Sequence, residues 1–518
     1  MDNSSSTSAN VGELATLTVQ EVGLNRESTI SYEYDEFYRF KNKTLDTPGV
    51  LEISTGYTFQ AISTRTTTQL SSYTSTVTGS SGTTVTSYSY SYDADGNITK
   101  IVDGNGKKTT YVYDDLGQLV RENIEAQNKT YVYTYDNGGN RTSKKTYAYT
   151  TAASLSSLEY TEIIYTYGNA AWGDQLTAVD TTTVAYDAIG NPTTYNGYSL
   201  TWNGRQLKKM EKTNSVIEFL YNADGIRTSK TVNGTEHVYT LNGTQIVSEA
   251  WGDILLIYLY DESGSPIGMQ YRKSSYAANV FDTFYFEKNL HGDIIAIYTE
   301  SGRKILEYTY DAWGNHSVTW TYLVMETLPA VFNPFRYRGY YYDTDIGLYY
   351  LQSRYYNPQW GRFLNEDGLI YSQAGLIGYN MYAYCGNNPV MGYDPSGYAE
   401  VDIKDDEDGN PINDFGPVYK GSGKTGVVRG RVDRMTKQMK NKIKNWITES
   451  RDICFPSRSD AVSFVQKNYP TYPQEVRGGR SAYGWHFDQH LSGDTREHIN
   501  LYDKHIGFNA HLYWNSLK

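Results

Sequence analysis

Long stretches of this chain alternate apolar and polar residues at every second position. "SYSYSY" ends at Tyr92, "TTYVY" at Tyr113 and "TYVYTY" at Tyr135. A period of two predicts strands with Tyr on one face and Thr, Val or Ser on the other. Each strand runs into the same signal, Tyr-Asp, two loose positions, Gly, then Asn or Gln. It reads "YDADGN" from Tyr92, "YDDLGQ" from Tyr113, "YDNGGN" from Tyr135, "YDAIGN" from Tyr186 and "YDAWGN" from Tyr310. Weaker copies stand near Tyr34, Trp202, Tyr221 and Tyr260. A short apolar run follows the Gly, as in "NITKIVD" and "QLVRENI". Asp and Gly suit a tight hairpin turn in which Gly takes a positive φ. Recurrence at a near-fixed interval marks a repeat array, expected to build its fold from successive hairpins.

Composition agrees with strands and turns: 52 Tyr and 46 Gly against 13 Pro in 518 residues. The length calls for more than one structural unit. A net charge of −12 argues against nucleic-acid binding by the chain as a whole. Two cysteines, Cys385 and Cys454, make neither a disulfide framework nor a Cys-based zinc site. No apolar run reaches the length of a transmembrane helix, and none is expected. The opening "MDNSSSTSANVGELATL" lacks the basic and apolar regions of a signal peptide and reads as a start within a longer array.

The Tyr-Asp-Gly array resembles the YD repeats of Rhs proteins, teneurins and the C components of insecticidal toxin complexes, over roughly residues 30–398. The resemblance implies a mainly β fold: a YD-repeat β-shell, or cocoon, over residues 1–330, incomplete at its N-terminus. Residues 331–398 are denser in aromatics, with "RYRGYYYDTDIGLYYLQSRYYNPQWGRF", "NMYAYCGNNPV" and "DPSGY". They look like the Rhs-associated core domain, which in that family plugs the shell and cuts the chain after its DPxG motif with aspartyl-protease-like chemistry. Carried onto this sequence, Asp394 and Asp367 are the two carboxylates, Arg362 positions one of them, and the cut follows Tyr398. Two features depart from the family pattern. Tyr398 replaces a usual aliphatic residue, and "EDG" stands where "DP" is commoner after "GRF".

The tail, residues 399–518, carries no such repeat and is expected to be a small α+β toxin domain. After the acidic "AEVDIKDDEDGN", Pro411–Lys518 holds 17 Lys and Arg against 10 Asp and Glu. A basic segment suits a nucleic-acid target. Apolar residues at Val428, Val432, Met435, Met439, Ile443, Trp446 and Ile447 predict an amphipathic helix with a basic outer face. A second helix is expected from Ser459 to before Pro470, and a hairpin over Glu497–Trp514.

Five of the eight histidines fall in the last 33 residues. Histidine titrates near neutrality, so a pair can serve as base and acid in RNA cleavage. His498 and His511 are the expected pair, with His486 third and Tyr513 on the face of His511. Arg496, Arg480 or Lys504 would stabilise phosphate charge. A metal-free RNase of this kind needs no cofactor. The alternative is a metal-dependent nuclease, with His486, Asp488 and His490 alternating toward one divalent ion, joined by His498 or His511. "GSGKT" at Gly421 lacks the first glycine of a P-loop, since Val418 stands there.

For the whole chain, the resemblance implies a polymorphic toxin of interbacterial competition. Such a protein is secreted or cell-surface, passes through export machinery, delivers its effector into a target cell and has a cognate immunity protein. The competing class is a YD-repeat adhesion or cell-surface recognition protein.

Overall fold

The computed structural model describes residues 14–21, 26–35, 37, 39–62, 65–322, 332–368, 379–398 and 401–402, and five tail strands at 425–427, 452–455, 483–489, 497–503 and 508–514. Two compact units emerge, residues 1–58 with 70–401 and residues 59–69 with 402–518.

The repeat array is an antiparallel meander. Strands from Thr16–Glu21 to Thr182–Thr183 form a 14-stranded sheet and those from Thr194–Tyr195 to His316–Trp320 a 13-stranded one, in sequence order throughout. This is the mainly β YD-repeat fold expected, and the turns explain its motif. Asp93 Oδ1 accepts the backbone N–H of Asp95 (3.0 Å) and of Asn97 (2.8 Å), and its Oδ2 accepts the Asn97 side-chain amide (3.0 Å). Gly96, at φ 87°, donates its N–H to the Asp93 carbonyl. The carboxylate therefore satisfies backbone donors that the turn would otherwise strand. Asp114, Asp136, Asp187 and Asp311 make the same set of bonds.

The tyrosine of each copy does separate work. Tyr113 Oη donates to the Ile98 carbonyl (2.7 Å), Tyr135 to Leu119 (2.8 Å) and Tyr310 to Ile294 (2.7 Å), so each phenol locks its hairpin to the previous one. Buried glutamates accept other phenols. Tyr133 donates to Glu122 (2.5 Å), Tyr298 to Glu287 (2.8 Å), and Tyr258 and Tyr341 both donate to Glu249 (3.0 and 2.9 Å). These tyrosines bury ring area and still place their hydroxyls on acceptors.

Residues 332–368 and 379–398 pack on this array, with a four-stranded antiparallel sheet at 341–343, 348–351, 354–357 and 362–363. Phe335, Tyr341, Leu348, Tyr350, Tyr355 and Trp360 join the largest hydrophobic cluster, shared with strands of the 13-stranded sheet. Polar side chains of the segment grip the YD turns themselves. Asn388 donates to Asn97 (3.2 Å), Asn387 to Gln118 (2.9 Å), Asn380 to the Gly138 carbonyl (3.0 Å) and Tyr382 to the Gly190 carbonyl (2.9 Å). Arg227 and Lys230 clamp the buried Asp343 at 2.6 and 3.0 Å.

In the second unit the described strands form one sheet in the order 425–427, 452–455, 508–514, 497–503, 483–489. The first two pairings are parallel and the last two antiparallel. The hairpin expected over Glu497–Trp514 is present. Both expected helices, and His490, Arg480, Arg496 and Lys504, lie outside the described residues. Among the described residues no helix is long and apolar enough to cross a membrane.

Candidate functional site

In the first unit, Asp394 opens the turn Asp394–Tyr398. Its Oδ1 accepts the N–H groups of Ser396 (3.2 Å) and Gly397 (2.8 Å), which folds the chain back on itself. Its Oδ2 accepts from Arg354 Nη2 at 3.2 Å, and the same nitrogen stands 2.9 Å from Asp367 Oδ2. All three side chains are buried. One guanidinium thus joins the two carboxylates named from the sequence. It reaches further: Arg354 Nε donates to the Gly397 carbonyl and Nη1 to the Met381 carbonyl (3.2 Å), while the plane lies 3.5 Å from the Phe363 ring centroid. Burial draws the Arg354 guanidinium below its ordinary pKa, and the two aspartates oppose that shift.

The strand 354–357 that carries Arg354 also tethers the turn through its neighbour. Ser353 donates to the Ser396 carbonyl from its N–H (3.2 Å) and its Oγ (2.8 Å). Gly397 must be glycine there. Its φ is +73°, and a Cβ would stand 2.6 Å from the Leu351 carbonyl oxygen and from Ser353 Oγ. The backbone pair Asp367 N–H to Met381 O (2.9 Å) fixes the second carboxylate. Beside it, Glu366 is buried and ion-paired with Arg205, and burial raises its pKa.

Arg362 lies elsewhere. Its Nη1 donates to Tyr167 Oη (2.7 Å), its Nη2 to the Asp174 carbonyl, and its charge sits 4.9 Å from the Tyr382 ring centroid. It ties the segment to the end of the 14-stranded sheet. The cation at the carboxylates is Arg354, which sequence reasoning passed over. The available signal was an arginine inside the aromatic run "LYYLQSRYY", a place where a charge has to find carboxylate partners.

In the second unit, backbone register sorts the tail residues by face. His486 pairs with Asn500, which pairs with His511. In the next row Asp488 pairs with His498, which pairs with Tyr513, which pairs with Cys454. Register partners and residues two apart share a face, so His486, Asp488, His498, Asn500, His511 and Tyr513 lie on one face of the sheet. His498 and His511 are diagonal neighbours on adjacent strands, and so are His486 and His498. The opposite face carries Trp485, Phe487, Ile499, Leu501, Ala510, Leu512 and Trp514.

Comparison with known proteins adds four findings. The RHS Repeat family model matches residues 92–124. Over 370 residues the chain is 34% identical to the tRNA3(Ser)-specific nuclease WapA of Bacillus spizizenii, covering 60% of this chain and 15% of that protein. It is 33% identical over 361 residues to the tRNA(Glu)-specific nuclease WapA of Bacillus subtilis subsp. natto, with the same coverage of 60% and 15%. The chain therefore spans about 15% of the length of these curated relatives. Among solved structures, the TcdB2-TccC3-Cdc42 structure matches 72% of this chain and 21% of its own, at 21% identity and a TM-score of 0.54, a likeness of fold.

Proposed function

We propose that this chain, similar in its repeats to Rhs/YD-repeat proteins, is a polymorphic toxin of interbacterial competition that cuts itself after Tyr398 to free a nuclease tail. The observation that carries the first half is Arg354, held between Asp367 and Asp394 and bonded to the carbonyl of Gly397, one residue before the bond. Two backbone N–H groups and Arg354 converge on Asp394 and fix its carboxylate beside the bond, and it takes the role of base. It takes a proton from water, and the water oxygen bonds to the Tyr398 carbonyl carbon. Asp367 gives a proton to the departing nitrogen of Ala399, and the Tyr398–Ala399 bond breaks. The two aspartates share one proton, and Arg354 balances the single negative charge they carry between them.

For the tail, the support is the single polar face that gathers His486, His498 and His511. The reading is an RNA-cutting enzyme in which His498 and His511 act as base and acid, and His486, Arg496 and Tyr513 contact phosphate. The two WapA relatives are named for different tRNAs, and we assign the choice of RNA in this chain to its tail. The array and core hold the tail less active until cleavage, and a cognate immunity protein protects the producing cell. Export brings the protein to the cell surface or medium.

The test is induced expression of the full chain in bacteria, with growth and RNA integrity followed together. His498→Ala and His511→Ala abolish both toxicity and RNA loss if the reading holds. Persistent toxicity with whole RNA overturns it. Chelation with EDTA leaves the acid–base RNase active and stops a metal enzyme, the second reading, which the shared face of His486, Asp488 and His498 keeps in view.

A further inference from the structure

A cavity of about 370 Å³ opens beside the proposed cleavage point, and Tyr398 is part of its wall. Its other walls come from distant parts of the first unit. Leu207, Tyr221 and Tyr355 supply apolar surface and rings, while Asn203, Arg205 and Gln352 supply polar groups. The walls are fixed before anything enters. Tyr221 Oη donates to the Leu207 carbonyl (2.9 Å) and bonds Tyr355 Oη at 3.2 Å, Leu207 is fully buried, and Arg205 is ion-paired with the buried Glu366. Tyr398 itself is 48% exposed, although the turn behind it is bound at Ser396, Gly397 and Asp394.

We propose that this cavity is a side-chain subsite for Tyr398, which takes the aromatic ring of the residue at the cut and thereby sets the register of the Tyr398–Ala399 bond against the carboxylates. The inference rests on the self-cleavage reading and adds its selectivity. Without a bond to the Tyr398 side chain, Ser353 and Arg354 hold the Asp394 carboxylate and the backbone of Ser396 and Gly397. The cleaved bond lies one residue further on. A rigid pocket of aromatic and aliphatic wall with a polar rim matches the two ends of a tyrosine ring. Among the described residues the Tyr398 backbone itself is held only by its N–H to Ser396 Oγ at 3.3 Å, so anchoring the ring adds the second point that places its carbonyl, and a loosely placed carbonyl loses most of the gain from a positioned base.

The test follows self-cleavage of the full chain made by cell-free synthesis, as conversion of intact chain to fragments on denaturing gels over time. The expected rate order at position 398 is Tyr and Phe, then Leu, then Ala, with Tyr398→Ala slower by roughly 10-fold or more. Asn203 is exposed on the rim, so Asn203→Trp fills the cavity from its mouth. It slows the Tyr398 chain but adds nothing to Tyr398→Ala, because an alanine has no ring to exclude. That non-additivity is the signature of a shared site. Equal rates for Tyr398 and Tyr398→Ala, or additive losses in the double variant, overturn the subsite while leaving self-cleavage intact. A wild-type chain that never cuts overturns the cleavage reading itself.

Discussion

A single aspartate in a YD turn serves three donors, and its loss leaves them without partners. Asp311 serves a fourth donor besides. It accepts Trp313 N–H and Asn315 N–H (both 3.0 Å), the Asn315 amide (2.8 Å) and Lys144 Nζ (3.2 Å). Asp311→Ala is expected to destabilise its hairpin by about 3 kcal/mol, the scale of stranded buried donors, read as faster amide exchange at Trp313 and Asn315. Glu122 is a second residue with a measurable signature. Burial, with Asp311 nearby, pushes its pKa from 4.5 up to about 7. The native chain then keeps a proton that the unfolded chain has released. The stabilisation is complete below pH 4.5 and is lost as pH rises to about 7. Thermal unfolding should show this slope in wild type, worth at most about 3 kcal/mol, and a flatter profile in Glu122→Gln.

At the scale of elements, "WGRF" is a junction between the core segment and the 14-stranded sheet. Gly361 has φ +63°, and a Cβ there would lie 2.6 Å or less from three atoms of the Arg141 guanidinium. That guanidinium is buried 3.8 Å from the Trp313 ring centroid and cannot move far. Gly361→Ala is expected to loosen the junction by about 1–3 kcal/mol, seen as protease sensitivity in residues 354–368. The tail sheet makes an element-scale prediction of another kind. Its face with Trp485, Phe487, Leu501 and Leu512 is the one a core would cover, and the histidine face is the one chemistry would use. Leu501→Ser should unfold the tail, read by loss of its strand signals. His498→Ala should leave those signals in place and remove only cleavage of RNA.

For the whole molecule, the expected event is one cut that leaves fragments of roughly 45 and 14 kDa, estimated from residue counts for an aspartate-dependent cut after Tyr398. Asp394→Asn and Arg354→Met should each leave a single band on denaturing gels. Arg362→Met should weaken the link to Tyr167 and Asp174 yet still permit cutting, since its partners lie away from the carboxylates. A fully cut Arg354→Met chain would refute the role given to that arginine.

The chain's own sequence determined everything that acts over a few residues. Strand alternation, the Asp-Gly-Asn turns and the hairpin at Glu497–Trp514 follow from periods and offsets, because a turn's donors, its carboxylate and its positive-φ glycine all lie within five positions. Asp394 and Asp367 rest on other grounds, the resemblance of "DPSGY" and "GRFLNEDG" to the Rhs core domain. Tertiary structure decided the partners. Arg354 precedes Asp367 by 13 positions and Asp394 by 40, and only the folding of strand 354–357 against the terminal turn brings one guanidinium to both. Arg362, closer in sequence to Asp367, is drawn off by Tyr167 and Asp174, nearly 200 positions away. The tail histidines repeat the lesson. Alternation places each on a face of its own strand, but strand register alone makes those faces the same one, and a slip of one residue would have put them on opposite sides.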